Sequence, residues 1–480
     1  MEENMNEEAL TADGQKDDDI DYVEDREELT EERIKDMLDA REYKELKEEL
    51  ETNMYPVDLA EILEEFDQKH MVLVFRLLAK EEAAETFSYM NSDMREDLIN
   101  ALTDSELEEI MEEMYLDDTV DVLEEMPANV VDRLLMVTDA EKRQQINQLL
   151  QYPEDSAGSV MNVDYIALRR EMTVADSILK IRQVGLNRET IYTCYVTEQR
   201  HLIGQVDIKE LLTSSESKTV EEIMDTNMLY ARTTDDQEDV ANIITKYGLI
   251  ALPIVDHENC MVGIVTVDDA MQVLQDETTE DISIMAGVNP NEDSYFGTSI
   301  FEHVKSRIPW LLFLMLSATV TQMIMNSYEN ALALMPQLAG FVPMLTGTGG
   351  NCGSQSSTLV IRGLAVGEIE FSDLFKVIWK EIRTAVCCGT VLAAVCFVKI
   401  LLVDKLLMGN TDITVMVALV VCLTLVVTVF LAKTVGCILP MVAKRLGFDP
   451  AVMASPFITT IVDALSLLVY FGIAKLLLGV

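Results

Sequence analysis

Basic side chains are scarce in the first 300 residues of this 480-residue chain, which carry 24 Lys and Arg against 74 Asp and Glu. Residues 301–480 are nearly balanced, with 12 basic and 10 acidic residues, so almost all of the formal charge of −48 lies before residue 301. An acidic surface of this size repels the phosphate backbone of nucleic acids, which excludes a DNA- or RNA-binding protein. Such an acidic surface favours cations as its binding partners.

The sequence also lacks a cysteine framework and an N-terminal signal segment. Its eight cysteines show no spacing typical of zinc or redox sites, and we interpret them as small buried apolar side chains. Residues 1–25 are acidic and polar, without the apolar stretch of a secretory signal. We therefore predict an acidic disordered tail over residues 1–30 that stays in the cytosol.

Long uncharged runs begin after Arg307. A helix needs about 20 apolar residues to cross a hydrocarbon core roughly 30 Å thick, and five runs are long enough. The predicted crossings are 309–328, 336–360, 384–403, 413–437 and 451–475. Nine basic residues flank them on one side and three on the other. The positive-inside bias thus predicts a multi-pass protein of the cell membrane with a cytoplasmic N-terminus and an external C-terminus.

An apolar octet recurs eight times between residues 59 and 150, with a period near twelve. Each copy makes about two helical turns, too short to be stable alone, so we predict that the copies stack into an all-α superhelix. Its outer face is rich in carboxylates, among them Asp117 and Asp121, which lie one helical turn apart. A solvated helix face and a cation site are both open interpretations of that pair.

A different pattern, in which β-branched runs alternate with helical ones, occurs twice between residues 155 and 276. Its second copy, residues 251–271, predicts a strand, a turn, a strand and a helix. The repeat resembles a tandem pair of CBS domains, a regulatory module. Thr266 and Asp269 match the nucleotide-binding corner of that family, so the resemblance makes ATP a candidate ligand. The alternative role for Thr266 is to cap the helix that follows.

Residues 343–363, PMLTGTGGNCGSQSSTLVIRG, are unusually polar for a membrane segment. Gly349 and Gly353 have the small-xxx-small spacing that lets two helices approach closely, so helix packing is one interpretation. Packing does not explain Asn351 and the serines, because polar side chains at membrane depth should face protein or water. We therefore predict that this segment lines a pore.

Asp463 lies about 13 residues into the last crossing, or roughly 20 Å from its start at 1.5 Å per residue. An ionised carboxylate at that depth costs a few kcal/mol and usually marks an ion or proton path. Helical spacing predicts one broad face that contains Pro456, Thr459, Thr460, Asp463, Ser466 and Tyr470. A protonated, hydrogen-bonded structural Asp is the alternative.

These two membrane stretches, together with the order of the parts, resemble the MgtE family of magnesium channels and transporters. The resemblance implies a multidomain fold with an all-α superhelical N domain (31–154), an α/β tandem CBS pair (155–267), a connecting plug helix with its linker (268–307) and a five-helix transmembrane domain (308–480). It also implies a homodimer in the lipid bilayer, without enzymatic activity, that passes Mg²⁺ and senses it in the cytosol.

The resemblance further implies two sets of Mg²⁺ ligands. The pore set is Asp463, Thr459, Ser455, Gly347, Gly350 and Asn351. The regulatory set is Asp269, Glu277, Glu280, Asp281, Asp449, Asp236, Glu238, Asp117 and Asp121. One carboxylate per chain neutralises half of a divalent ion, and a second copy of Asp463 across a two-fold axis would complete the neutralisation.

Two other classes of membrane protein remain open. An ion-coupled secondary transporter of Mg²⁺ or Co²⁺ could use Asp463 as a cation relay, and a membrane-tethered nucleotide sensor could use the CBS pair alone. A membrane aspartyl protease is excluded because the predicted crossings contain a single acidic residue.

Overall fold

A computed structural model of the protein describes residues 29–291, 295, 298–410, 413–453 and 455–479. The disordered tail predicted over residues 1–30 therefore lies almost entirely outside the described residues. The chain divides into two compact units, Met1–Leu149 and Leu150–Val480.

The first unit is a stack of short helices. They are α1 (Glu31–Ala40), α2 (Tyr43–Asn53), α3 (Pro56–Leu63), α4 (Gln68–Phe75), α5 (Lys80–Tyr89), α6 (Ser92–Ala101), α7 (Asp104–Glu113), α8 (Leu116–Glu125), α9 (Ala128–Val137) and α10 (Ala140–Leu149). Each apolar octet overlaps one helix from α3 to α10. Each of α3, α5 and α7 contacts the second helix that follows it, as do α4 and α8. This pattern buries the apolar side of every repeat, including Leu63, Phe87 and Leu107.

The second unit begins with two similar α/β halves. The first contains β1 (Ala167–Leu168), α11 (Val174–Val184), β2 (Thr193–Glu198), β3 (His201–Asp207), α12 (Ile208–Thr213) and α13 (Val220–Ile223). The second contains β4 (Ala231–Arg232), α14 (Gln237–Tyr247), β5 (Ala251–Val255), β6 (Met261–Thr266) and α15 (Val267–Met285). In each half the first strand pairs parallel and the third antiparallel with the second.

The predicted strand, turn, strand and helix of residues 251–271 are confirmed. Asp256 forms the turn between β5 and β6, where its Oδ1 accepts hydrogen bonds of 2.8 Å from the N–H groups of Glu258 and Cys260. The helix α15 follows β6 without a linker, because Thr266 ends the strand and caps the helix.

Long helices make up the rest of the second unit. They are α16 (Ile300–Ser327), α17 (Glu329–Leu334), α18 (Val342–Ala365), α19 (Leu374–Lys399), α20 (Val415–Arg445) and α21 (Ser455–Leu478). A π-helical stretch, Ile400–Leu407, continues α19, and 3₁₀ turns at Pro336–Phe341 and Pro450–Met453 precede α18 and α21.

Four of these segments, among the described residues, are long and apolar enough to cross a membrane: Ile300–Ser327, Phe371–Leu407, Val415–Arg445 and Pro450–Leu478. The remaining predicted crossing, 336–360, corresponds to α18, which has 24 residues but is more polar because of its Gly, Ser, Thr, Asn and Gln content. The helices also extend past the predicted ends, so that Lys376, Lys380 and Arg383 lie in α19 rather than in a loop.

The polar helix α18 lies at the centre of this helical region, against both α20 and α21. It runs parallel to α20, because Gly349 meets Thr428 while the Leu364 carbonyl meets Lys444. It runs antiparallel to α21, because Ser354 meets Ser455 while the Leu338 carbonyl, before α18, accepts from Tyr470. Contacts with α20 and α21 therefore hold α18 in position, although its own sequence is only weakly apolar.

A buried ionic group ties α18 to its neighbours. Lys433 of α20 is only 5% exposed, and its Nζ lies 3.1 Å from Ser356 Oγ and 3.6 Å from Glu381 Oε2. Ser356 in turn donates a hydrogen bond of 2.6 Å to Glu381. Lys433 is one of the nine basic residues counted on the cytosolic side of the predicted crossings, whereas the structure buries it inside α20 with an acidic partner that no local pattern identifies.

Replacing Lys433 by methionine is expected to lower the free energy of unfolding by about 3–5 kcal/mol, because Glu381 then stays buried without its cation. Replacing both Lys433 and Glu381 by methionine should recover most of that loss. Thermal unfolding of the detergent-solubilised protein measures both variants. A double variant as unstable as the single one would contradict the role of the ion pair.

Candidate functional site

Exposed polar residues follow one side of α18 at intervals of about one helical turn. They are Gly347, Asn351, Gln355 and Thr358. Gly349 and Gly353 point the other way, where a Cβ would lie 2.9 Å from Val462 or 2.7 Å from Ile458 of α21. The packing interpretation is thus correct for Gly349 and Gly353, and it does not apply to the exposed side of the same helix.

The polar residues of α21 share one side of the helix but differ in burial along its length. Ser455, Thr459 and Asp463 are exposed or half-buried, and each lies one turn from the next. Ser466 and Tyr470 are buried, where Ser466 donates to the Val462 carbonyl at 2.6 Å and Tyr470 to the Leu338 carbonyl at 2.9 Å. The broad face predicted from helical spacing therefore stays accessible from Ser455 to Asp463 and is buried at Ser466 and Tyr470. Ser466 is bonded within α21, whereas Tyr470 makes a tertiary hydrogen bond.

The exposed sides of α18 and α21 adjoin each other. Ser354 Oγ lies 2.9 Å from Ser455 Oγ, and a Cβ on Gly350 would lie 3.0 Å from Thr459 Cγ2. Gly347 and Asn351 are three residues from Gly350 and Ser354, on the same side of α18. The structure thus brings the six residues of the predicted pore set to one surface, the polar face (Gly347, Gly350, Asn351, Ser354, Gln355, Thr358, Ser455, Thr459 and Asp463).

Asp463 is the single acidic residue of the polar face. Its neighbour Val462 contacts the Gly349 position, which also meets Thr428 near the middle of α20, so Asp463 lies close to mid-depth. The carboxylate is half-buried and makes no hydrogen bond or ion pair with any of the described residues. A hydrogen-bonded structural Asp would need such a partner. An unpaired carboxylate at this depth is instead suited to hold a cation.

A second group of carboxylates lies where α14, α15 and the turn before α21 meet. We call it the acidic cluster, and it consists of Asp155, Asp236, Glu238, Glu277, Glu280, Asp281 and Asp449. Burial raises the pKa of Glu238 to about 7, and the charges of Glu277, Asp236 and Asp281 add to this effect. Burial and the charge of Asp449 raise the pKa of Asp281 to about 6. Such mutual repulsion is what a divalent cation relieves.

Asp155 is the member of the acidic cluster that the sequence analysis missed. It lies in the loop before β1, with a positive φ of 58°, and its charge helps to raise the pKa values of Glu277 and Glu280. The Gln237 side-chain amide, at the start of α14, joins Asp155 to α15 by donating to Glu277 at 2.9 Å and to Asp155 at 3.3 Å. No local pattern could identify Asp155, because it precedes Gln237 by 82 residues.

Three residues of the predicted regulatory set lie outside the acidic cluster. Asp269 accepts hydrogen bonds from the Thr266 Oγ and N–H at 2.6 and 3.3 Å, which places both residues at the start of α15, two turns from Glu277. Asp117 and Asp121 lie on α8 in the first unit, where Asp121 faces the guanidinium of Arg95. No three acidic, histidine or cysteine side chains among the described residues converge on one metal position.

Without divalent metal, stability should fall as the pH rises from about 4.5 to 7. The folded state holds a proton on Glu238 throughout this window, because its pKa of about 7 lies above the ordinary 4.5, whereas the unfolded state releases that proton. We expect a decrease in Tm of about 2–4 °C, the change that 1 kcal/mol makes in a domain of this size. Differential scanning fluorimetry in EDTA measures it, and Glu238→Gln should make the profile less steep, with Asp281, whose pKa is raised to about 6, contributing to what remains. A flat profile in the unsubstituted protein would contradict the repulsion.

Three family models match parts of the sequence. The MgtE divalent cation transporter model matches residues 342–473, the MgtE intracellular N domain model residues 54–155, and the CBS domain model residues 220–276. The first of these segments contains the whole polar face.

Two curated relatives are similar along most of the chain. The magnesium transporter MgtE of Thermus thermophilus is 36% identical over 445 residues, which cover 92% of this chain and 96% of the relative. The magnesium transporter MgtE of Bacillus subtilis is 32% identical over 422 residues, with 88% and 91% coverage. Among solved structures, the cytosolic domain of the Mg²⁺ channel MgtE in complex with ATP is 34% identical, with a TM-score of 0.49, and covers 51% of this chain and 99% of that one.

Proposed function

The chain belongs to the MgtE family of divalent cation transporters, and from this premise we propose that it carries Mg²⁺ across the cell membrane along its polar face. The observation that carries the proposal is the Asp463 carboxylate, which is half-buried near mid-depth and has no partner in the described residues. Ser and Thr hydroxyls and an Asn amide lie beside it on the same surface. Such oxygens suit a cation that keeps much of its water.

The polar face of one chain is open on the side away from α20. We propose that a second copy covers it, so that two Asp463 carboxylates neutralise one divalent ion on the two-fold axis. Polar side chains at bilayer depth are otherwise exposed to lipid, which is costly. The exposure of Gly347, Asn351 and Ser455 in the single chain supports this homodimer.

Five crossings fit the packing better than four do. At about 1.5 Å per residue, the 24 residues of α18 measure roughly 36 Å, enough to span the hydrocarbon core. Its polar residues belong to the polar face or to helix contacts, so its low apolar content does not expose them to lipid. We therefore propose a cytoplasmic N-terminus and an external C-terminus, with the basic ends of α16, α19 and α20 in the cytosol.

We further propose that intracellular Mg²⁺ controls transport through the acidic cluster. Its carboxylates come from α14, α15 and Asp449, which immediately precedes the turn leading into α21. Bound Mg²⁺ would neutralise their repulsion and favour the arrangement in which α15, the plug helix of this proposal, packs against that turn. Closure at high internal Mg²⁺ and opening at low internal Mg²⁺ follow from the differential binding of the ion to the two states.

Limited proteolysis of the soluble half, by which we mean the residues that precede α16, should slow several-fold as Mg²⁺ rises through the millimolar range. Metal binding favours the packed state, which is the less accessible one. Combined Glu277→Gln, Glu280→Gln and Asp281→Asn substitutions should remove most of this protection. Asp276→Asn is the matched control, since Asp276 lies on the same helix but is exposed and accepts a hydrogen bond from Gln272. Equal protection of the triple variant and the control would contradict a regulatory role for the cluster.

Mg²⁺ flux in proteoliposomes, measured against the Mg²⁺ concentration on the side of the soluble half, tests the transport function. A channel passes many ions per opening and shows unitary currents, whereas an ion-coupled carrier requires a second ion gradient. ATP remains a candidate ligand of the CBS pair through Thr266 and Asp269. Their mutual hydrogen bond caps α15, so a nucleotide would have to compete with that cap.

A further inference from the structure

An apolar groove lies between the start of α16 and the start of α21. Pro309, Trp310 and Phe313 of α16 line it on one side, and Val452 and Phe457 line it on the other. The groove is open and has a volume of about 310 Å³. The Phe313 and Phe457 rings stack with their centroids 6.1 Å apart, and Trp310 meets Phe313 edge-on at 6.4 Å. These aromatic contacts give the groove a fixed shape.

The groove faces away from the proposed ion path. Phe457 follows Ser455 by two residues, which places it about 200° around α21 from the polar face. The helix α16 also has no buried residue among those described, so its surface beside the groove is free to contact lipid. A ligand of this groove would therefore come from the bilayer.

One end of the groove is polar and adjoins the soluble half of the protein. The Trp310 indole N–H donates to Asn289 Oδ1 at 3.1 Å, and the Asn289 N–H donates to the Ser306 carbonyl at 3.0 Å. Gly287, just after α15, lies beside both Pro456 and Trp310, since a Cβ there would be 3.1 Å from Pro456 Cγ and 3.8 Å from the Trp310 ring. The indole is therefore oriented as tryptophans are at a membrane–water interface, with its N–H towards the polar side.

Two basic residues lie one helical turn before the groove. Lys305 is four residues before Pro309, and Arg307 is three residues before Trp310, so each shares a side of α16 with a groove residue. Both are exposed, and neither makes a hydrogen bond or an ion pair within the described part of the chain. The nearby acid Glu302 is turned back to the helix start, where it accepts from the Ser299 N–H and Oγ.

We propose that the groove binds an anionic phospholipid from the leaflet next to the soluble half. One acyl chain lies against Phe313 and Phe457, and the phosphate lies against Arg307, which shares a side of α16 with Trp310. Lys305 lies at the other edge of the groove and adds to the positive charge there. Since lipid tails are as apolar as the groove, the acyl chain supplies fit, and the two cations supply selectivity for charge. A basic residue near an anionic bilayer favours the anionic lipid by about fivefold, so two residues should give a preference on the order of tenfold.

The two tryptophans of the chain allow a direct test. The Trp379→Phe variant leaves Trp310 as the reporter, and Trp310→Phe leaves Trp379, which is 61% exposed on α19, as the control. The full-length variants are reconstituted in EDTA into bilayers with equal amounts of phosphatidylcholine and phosphatidylglycerol, with brominated chains on one lipid or on the other. Bromine quenches tryptophan fluorescence on contact.

Brominated phosphatidylglycerol should quench Trp310 severalfold more effectively than brominated phosphatidylcholine. High salt should weaken this preference. Lys305→Gln with Arg307→Gln should remove it at Trp310 while leaving the quenching of Trp379 unchanged. Three outcomes would overturn the proposal: equal quenching of Trp310 by both lipids, a preference that survives the double substitution, or an equal change at Trp379. The absence of quenching of Trp310 by either lipid would also overturn it and would indicate that protein covers the groove.

Discussion

Replacing Asp463 by alanine is expected to abolish Mg²⁺ uptake while the protein remains folded and inserted. The substitution removes the single carboxylate of the polar face and, in the proposed dimer, both negative charges on the axis. A divalent ion without a compensating charge in the bilayer faces a barrier of many kcal/mol, so the rate should fall by at least a thousandfold. Because the side chain has no partner among the described residues, its removal leaves no polar group unsatisfied.

Uptake into proteoliposomes loaded with a Mg²⁺-sensitive dye measures this loss. Ser466→Ala is the matched control, since Ser466 lies three residues further along the same helix but is buried and bonded to the Val462 carbonyl. It should retain transport. Uptake at unsubstituted rates by Asp463→Ala would remove that residue from the mechanism and, with it, the proposed path.

The Gly436→Ala variant is expected to lose about 3 kcal/mol of stability or more, and transport with it. A Cβ at this position would overlap the Gly353 carbonyl oxygen and lie 3.1 Å from the carbonyl carbon. Both are backbone atoms of α18, so no side-chain rotation relieves the overlap, and the two helices must separate. Since α18 also carries six of the nine residues of the polar face, that separation displaces most of it.

Gly472→Ala provides the comparison for this variant. Gly472 also lies inside a long helix, α21, but a Cβ there has no neighbour within 4 Å. Alanine should therefore be neutral or stabilise the helix by about 0.5–1 kcal/mol. Tm in detergent and Mg²⁺ uptake together measure both variants. If Gly436→Ala and Gly472→Ala had the same Tm, the close contact between α18 and α20 would be refuted.

Sequence patterns within short segments are sufficient to predict much of the fold. The apolar octets predict the helices from α3 to α10, and the β-branched runs predict the strands and the turn at Asp256. The apolar runs identify four of the long helices directly. For α18 the run is interrupted by glycines and polar side chains, and its position is fixed by contacts such as that of Gly353 with Ile458. Those contacts depend on residues about 100 positions away, which no local period encodes.

The candidate site shows the same limit, because the sequence alone does not distinguish polar side chains that are buried from those that are exposed. Helical spacing places Asp463, Ser466 and Tyr470 on one side of α21, but it cannot tell which of them the packed structure buries. The hydrogen bond to the Leu338 carbonyl orients the Tyr470 side chain. Lys433 is buried among the helices because Glu381 and Ser356 are its polar partners there. Such pairings are properties of the packed structure, whereas the depth of Asp463 follows directly from counting residues along one helix.

The uninterrupted passage from β6 into α15 has a mechanical consequence. The helix is 19 residues long, about 28 Å, and ends two residues before Gly287, where a Cβ would lie 3.1 Å from Pro456 at the start of α21. A rigid rod hinged at Thr266 behaves as a lever arm: a tilt of only about 10° at the sheet sweeps its tip through roughly 5 Å. A rotation of the β-sheet that is too small to disturb its own core would thus move the end of the helix by more than the diameter of a water molecule.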